Sequence, residues 1–141
     1  MTVLERSTSA MNTVANFVTR QQQGEVLSFH EVQAAYGELV VCYGLVGLEL
    51  ATAFKPKEAS YLARRVAQSK AYIRGRYDEK LKLAVKDAEM QSLLDVGEEI
   101  NAEIENSSIY EGLRILRESL DRAIDYCRSL VSSLRKEERH V

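Results

Sequence analysis

Apolar residues recur along nearly the whole chain at the three-to-four-residue spacing of a helix face. The series is clearest near the end, where Leu113, Leu116, Leu120, Ala123, Cys127, Leu130 and Leu134 alternate steps of three and four, with Ile109 one position upstream. Three such heptads predict a coiled-coil or bundle seam. Two partners suit it: the preceding helix in an antiparallel hairpin, or the same seam of another copy.

Upstream, Ser28-Phe29-His30-Glu31 reads as a capping box, with the serine accepting from an early backbone N–H and Glu31 reaching back. It opens a predicted helix to about Phe54, whose buried face is Val32, Ala35, Tyr36, Leu39, Val40, Tyr43, Val46 and Leu50. Gly37, Gly44 and Gly47 weaken it by about 1 kcal/mol each relative to alanine unless a close helix crossing compensates. The β-prone run Val40-Val41-Cys42 makes a short buried strand the alternative there.

Lys55-Pro56 predicts a stop and a new helix over about 57–75, with Leu62, Val66, Ile73 and Tyr77 as one apolar stripe. After a bend at 75–78, a further run over 79–105 carries Leu81, Val85, Ala88, Leu93, Val96, Ile100 and Ile104. Asn106-Ser107-Ser108 then predicts a turn. Residues 1–27 read as a polar leader in which Val14, Phe17 and Val18 suit one short amphipathic helix ending at Gln21-Gln22-Gln23-Gly24, and 28–141 as a single helical oligomerisation and DNA-binding domain. The fold class is all-α: elongated hairpins or a bundle, oligomeric, with a coiled-coil-like last helix.

Composition narrows the picture. With 141 residues, one proline, two cysteines and 45% hydrophobic residues, the chain is neither a disordered tract nor a disulfide scaffold. Cys42 and Cys127 have no CxxC partner and read as reduced packing residues. The start lacks a secretory signal, and Leu39 to Leu50 is too short for a bilayer and contains Glu49, so the expectation is a cytoplasmic protein without a membrane span.

The formal charge of −2 conceals a segregation. Residues 55–86 hold ten basic and three acidic side chains, net +7, whereas 87–111 hold eight acids and no lysine or arginine. On a helix, Tyr61, Arg65, Tyr72 and Arg76 fall within about 60° of one another, beside the apolar stripe. Aromatic rings and guanidinium groups on one face suit single-stranded nucleic acid, where cations neutralise phosphates and rings stack on unpaired bases. The candidate nucleic-acid-binding residues are Tyr61, Arg64, Arg65, Lys70, Tyr72, Arg74, Arg76, Lys80 and Lys82. The competing reading pairs the basic helix with the acidic one through salt bridges.

Catalytic chemistry has no candidate, since His30 and His140 lack partners at ligand spacing and no HExxH, CxxC, P-loop, GxGxxG or GxSxG motif occurs. Glu99 and Glu103 lie four apart, but without histidine or a second carboxylate helix they read as a solvated acidic face. The expectation is a binding or assembly module with no enzyme activity, cofactor or metal.

An apolar tyrosine-containing helix, a basic helix ending Lys70-Ala71-Tyr72-Ile73-Arg74-Gly75-Arg76-Tyr77, a lysine-rich entry (Lys80, Lys82, Lys86) to a helix with Asp95-Val96, and a last helix with Ile124-Asp125-Tyr126-Cys127 follow in order. Over about residues 36–136 this resembles the bacteriophage recombination mediator proteins of the UvsY type. The resemblance implies an all-helical protein that forms rings through its C-terminal helices, binds single-stranded DNA on a basic surface, and helps load a RecA-like recombinase onto DNA coated with single-strand-binding protein in the bacterial host cell. The family's Lys-Ala-Arg tract corresponds to Lys70-Ala71-Tyr72, so tyrosine replaces its arginine, with Arg74 and Arg76 nearby as cations. A different class is a small helical phage interaction or inhibitor protein that presents the acidic 87–111 face to a host or defence factor.

Overall fold

The computed structural model describes residues 1–139, which form four α-helices: α1 (Val3–Gln22), α2 (Phe29–Tyr77), α3 (Val85–Asp95) and α4 (Gly97–Arg139). The all-α expectation holds. Among the described residues there is no strand, and Val40-Val41-Cys42 is helical. His140 lies outside the described residues. The chain divides into two compact units, Met1–Leu50 with the chain from Leu113 onward, and Ala51–Gly112.

In the first unit, α1, the first part of α2 and the last part of α4 share a core. Ala10, Val14, Leu39, Cys42, Val46, Leu120, Ile124 and Cys127 make its main cluster, and Phe17, Leu27, Val32 and Ala35 a second one that Leu130, Val131 and Leu134 complete. The leader forms the expected amphipathic helix, longer than read at twenty residues, because Ala10 joins Val14 and Phe17 in a buried stripe at helical spacing. Its N-terminus carries a capping box, Thr2 with Glu5, that the periodicity reading passed over. Gly24, at φ 81, turns the chain towards α2. The Ser28–Glu31 box forms as read: Glu31 N donates to Ser28 Oγ at 3.2 Å and Ser28 N to the Glu31 carboxylate at 2.9 Å.

Both cysteines are free and buried in the main cluster. Burial raises both thiol pKa values, consistent with packing groups rather than reactive thiolates. Ion pairs tie α1 to α2: Arg6 to Glu38, with Nη2 donating at 3.0 Å, and Arg20 to Glu31 and Glu25. Hydrogen bonds from Arg20, then from Ser28, hold the Glu31 carboxyl down at about 2.

The C-terminal seam finds a partner that neither reading supplied. Leu120 and Cys127 are wholly buried, and Leu113, Leu116, Ala123, Leu130 and Leu134 are half-buried, in clusters with α1 and the start of α2 rather than with 79–105. The leader's helix is the reason, since it completes a three-helix core. All seven seam residues pack within the chain.

Pro56 does not stop α2, which runs on to Tyr77. A proline inside a helix costs about 3 kcal/mol; α2 packs in the first unit before it and in the second unit after it, and this offsets the loss. Ser60 Oγ donates at 2.8 Å to the Pro56 carbonyl oxygen. The predicted turn at 106–108 is likewise helical, and the break comes at Val96, which ends α3 just before Gly97 opens α4. Asn and Ser carry only a small penalty in a helix interior, which packing outweighs.

In the second unit the later part of α2 packs on α3 and the start of α4. The contact is close at Gly75, where an added Cβ would sit 3.5 Å from the Ala88 Cβ, and Leu83 N donates to Gly75 O at 2.8 Å. Helix α2 turns inward its small and polar row, with Ser60 and Gly75 buried and Arg64, Ala67, Gln68 and Ala71 half-buried. The predicted apolar stripe faces out: Leu62, Val66, Ile73 and Tyr77 are 59%, 53%, 56% and 72% exposed. Small residues allow the close approach, and Arg64 requires the carboxylate that α4 provides. An 18-residue stretch of α2 has a mean hydropathy of 1.5, so by length and composition alone α2 is able to cross a membrane, although Leu39, Cys42 and Val46 belong to the first unit's core.

Candidate nucleic-acid interface

The candidate residues lie in the second unit, on the later part of α2 and the 78–84 loop. On the helix, Tyr61, Arg65, Tyr72 and Arg76 follow steps of four, seven and four, so one flank carries all four between the inward row and the exposed apolar row. Arg65 is exposed, and its Nη1 donates to Tyr61 Oη at 2.8 Å with the guanidinium 5.7 Å from the ring centroid. Arg64 approaches the same ring at 5.4 Å. Such pairing holds ring and cation side by side at modest energy, leaving the ring 36% exposed.

A groove of about 510 Å³ continues along this flank, lined by Arg64, Arg65, Gln68, Ser69, Tyr72 and Ile73, with Glu89 and Ser92 on its α3 side. Gln68 and Ser69 were missed by the sequence reading; their spacing, three and four residues from both Arg65 and Tyr72, was the available signal. Lys70 and Arg74 line a separate groove of about 310 Å³ that Asp95 and Glu99 close on the other side.

The cations divide into two groups. Arg64 is three-quarters buried against Glu103: its Nη2 donates to Glu103 Oε1 at 3.3 Å and its Nη1 to Gln68 Oε1 at 3.0 Å. The Glu103 hydrogen bonds raise the Arg64 pKa, fixing its charge. Arg74 Nη2 donates to Asp95 at 3.0 Å, although its side chain is 61% exposed. The salt-bridge reading therefore describes Arg64 and Arg74. Arg76 donates to the Leu83 carbonyl oxygen at 3.3 Å and lies 5.9 Å from the Tyr77 ring centroid, which draws it towards the loop. Arg65, Lys70, Lys80 and Lys82 are exposed. Lys82 takes a φ of 38, a conformation unusual for a side-chain-bearing residue.

Among the described residues no group of three or more His, Cys, Asp or Glu side chains gathers to hold a metal ion. Glu103 is committed to Arg64 rather than paired with Glu99. The flank carries the exposed Arg65 beside the Tyr61 and Tyr72 rings. Comparison with protein-family profiles, curated proteins and solved structures finds no match to this chain.

Proposed function

We propose that the chain is a non-enzymatic, single-stranded DNA-binding recombination mediator, acting in the cytoplasm of a bacterial host to help load a RecA-like recombinase onto DNA held by single-strand-binding protein. The observation that carries the reading is the exposed flank of α2, where Arg65 is braced on Tyr61 and Tyr72 opens onto the adjoining groove, with Lys70, Lys80 and Lys82 exposed nearby. The resemblance of residues 36–136 to the UvsY-type mediators supports the same assignment.

The physics is that of a weak, reversible site. Phosphates meet cations and release counterions, unpaired bases stack on tyrosine rings at roughly 1–3 kcal/mol each, and a duplex, whose base faces are hidden, gains only the first term. Repetition of the site in a homo-oligomeric ring multiplies affinity without a new contact. A mediator needs nothing further: by holding the strand in a form the recombinase prefers, it shifts the competition with the single-strand-binding protein.

Fluorescence anisotropy with a labelled oligonucleotide tests the reading. Binding at low salt that weakens as salt rises, and exceeds binding to the matching duplex, is expected. Absence of binding at low salt overturns it.

A further inference from the structure

A second cationic surface lies in the first unit, whereas the candidate flank belongs to the second. Arg128, Ser132 and Arg135 follow steps of four and three on α4, and Phe29, Gln33 and Tyr36 follow steps of four and three on α2, so each set forms one row. The two rows run antiparallel. Arg135 lies 5.6 Å from the Phe29 ring centroid, and Arg128, earlier on α4, donates a hydrogen bond to the hydroxyl of Tyr36, later on α2.

Two adjoining grooves open at these rows. The first, about 250 Å³, is lined by Gln33, Tyr36, Arg128, Val131 and Arg135. The second, about 320 Å³, shares Arg128, Val131 and Arg135 and adds Ser132 and Lys136. The two arginines therefore stand between a pocket that offers a ring, an amide and an apolar side chain, and a cleft that offers a hydroxyl and an ammonium. Taken together the grooves reach the size of small-molecule sites, roughly 300–1,000 Å³.

Core packing does not account for the polar members, since Gln33, Arg128, Ser132, Arg135 and Lys136 are all exposed. Asp125 pairs with Arg128 at 3.3 Å, but both side chains are 65% exposed, and so solvated a pair does little to neutralise the cation. The hydrogen bond with Tyr36 is the main cause of a raised Arg128 pKa, to which Asp125 and Asp121 on α4 add, so its charge persists.

We propose that this pair of grooves binds one nucleotide, its base in the pocket of Gln33 and Tyr36 and its phosphate in the cleft of Ser132 and Lys136. The chemistry of each wall matches its part. Tyrosine rings and guanidinium planes stack on a base, and a glutamine amide pairs with a base edge, best with that of adenine. Guanidinium, ammonium and hydroxyl groups donate to phosphate oxygens. An acidic peptide would use the cations and leave the ring and the amide without a role. The nucleotide comes either free or as one residue of a strand.

Isothermal titration calorimetry of the full chain with deoxyadenosine monophosphate tests this. Binding is expected, with Arg128→Gln, Arg135→Gln and Gln33→Ala each weakening it about tenfold at unchanged helical circular dichroism, because all three side chains are exposed. Deoxyadenosine and inorganic phosphate, each offered alone, are expected to bind at least tenfold more weakly than the nucleotide. Competition then reads the source: an oligonucleotide that displaces the mononucleotide places a strand residue in the pocket, and one that leaves it bound assigns the pocket to free nucleotide. Absence of binding, affinity unaltered in the arginine variants, phosphate alone as tight as the nucleotide, or tighter binding of an oligoglutamate peptide overturns the proposal. Because these variants belong to the first unit, none of these results decides the reading of the Arg65 flank, whose own test is the oligonucleotide affinity of second-unit variants.

Discussion

Arg64 and Glu103 meet through two hydrogen bonds, Arg64 Nε and Nη2 donating to different oxygens of one carboxylate, with both side chains about three-quarters buried. This fork joins α2 to α4 within the second unit and divides the basic segment into structural and exposed cations. Arg64→Ala is therefore expected to lower the thermal unfolding midpoint, read by circular dichroism, while oligonucleotide affinity stays within about twofold of wild type. Loss of affinity at an unchanged midpoint would place Arg64 on the binding face.

Tyr72 stands at the other end of the candidate flank, half-buried beside the groove. If its ring stacks on a base, Tyr72→Ala removes about 1–3 kcal/mol of single-strand affinity, roughly 5- to 150-fold, while Tyr72→Phe retains most of it. Anisotropy titrations of the three proteins check this. Equal losses for alanine and phenylalanine would assign the effect to the hydroxyl.

The first unit gives two opposed stability predictions. Leu120, wholly buried in the main cluster, leaves a cavity when shortened, and Leu120→Ala is expected to cost about 2–5 kcal/mol in denaturant unfolding. Gly44 lies on an exposed part of α2, and no atom approaches within 4 Å of where its Cβ would be. No close crossing compensates it, so Gly44→Ala is expected to stabilise by about 1 kcal/mol.

Acid should loosen the α1–α2 contact. Arg20 and Ser28 hold the Glu31 carboxyl at about 2 against an ordinary 4.5, and Arg6 lowers that of Glu38. Because the folded values lie below the unfolded ones, the stability these groups contribute is complete above about pH 4.5. It is lost as pH falls through the folded value, which for Glu31 is about 2. Thermal midpoints measured between pH 7 and pH 2 are expected to fall most steeply in that lower window, and Glu31→Gln to shallow the fall.

Where local chemistry decided an element, the sequence sufficed. The Ser28–Glu31 box, the face through Val32, Ala35, Leu39 and Val46, and the helical character throughout were legible from spacing and capping. Where a distant partner decided, it did not. Pro56 and Asn106-Ser107-Ser108 are local stop signals that packing overrides, and nothing near Leu62 or Ile73 reveals that α2 would turn its Ser60–Ala67–Ala71–Gly75 side inward instead. The candidate flank was legible because its four residues share one helix. The pairing of Arg64 and Arg74 was not, because Glu103 and Asp95 lie 39 and 21 residues away.

The salt dependence of oligonucleotide affinity tests the central claim most directly, because it counts phosphate contacts. For wild type and the Arg65→Ala/Arg76→Ala double variant, log affinity against log salt is expected to be linear, with the variant's slope shallower by about 1.4, at roughly 0.7 for each cation removed. Identical slopes for the two proteins would contradict the placement of single-stranded DNA on this face of α2.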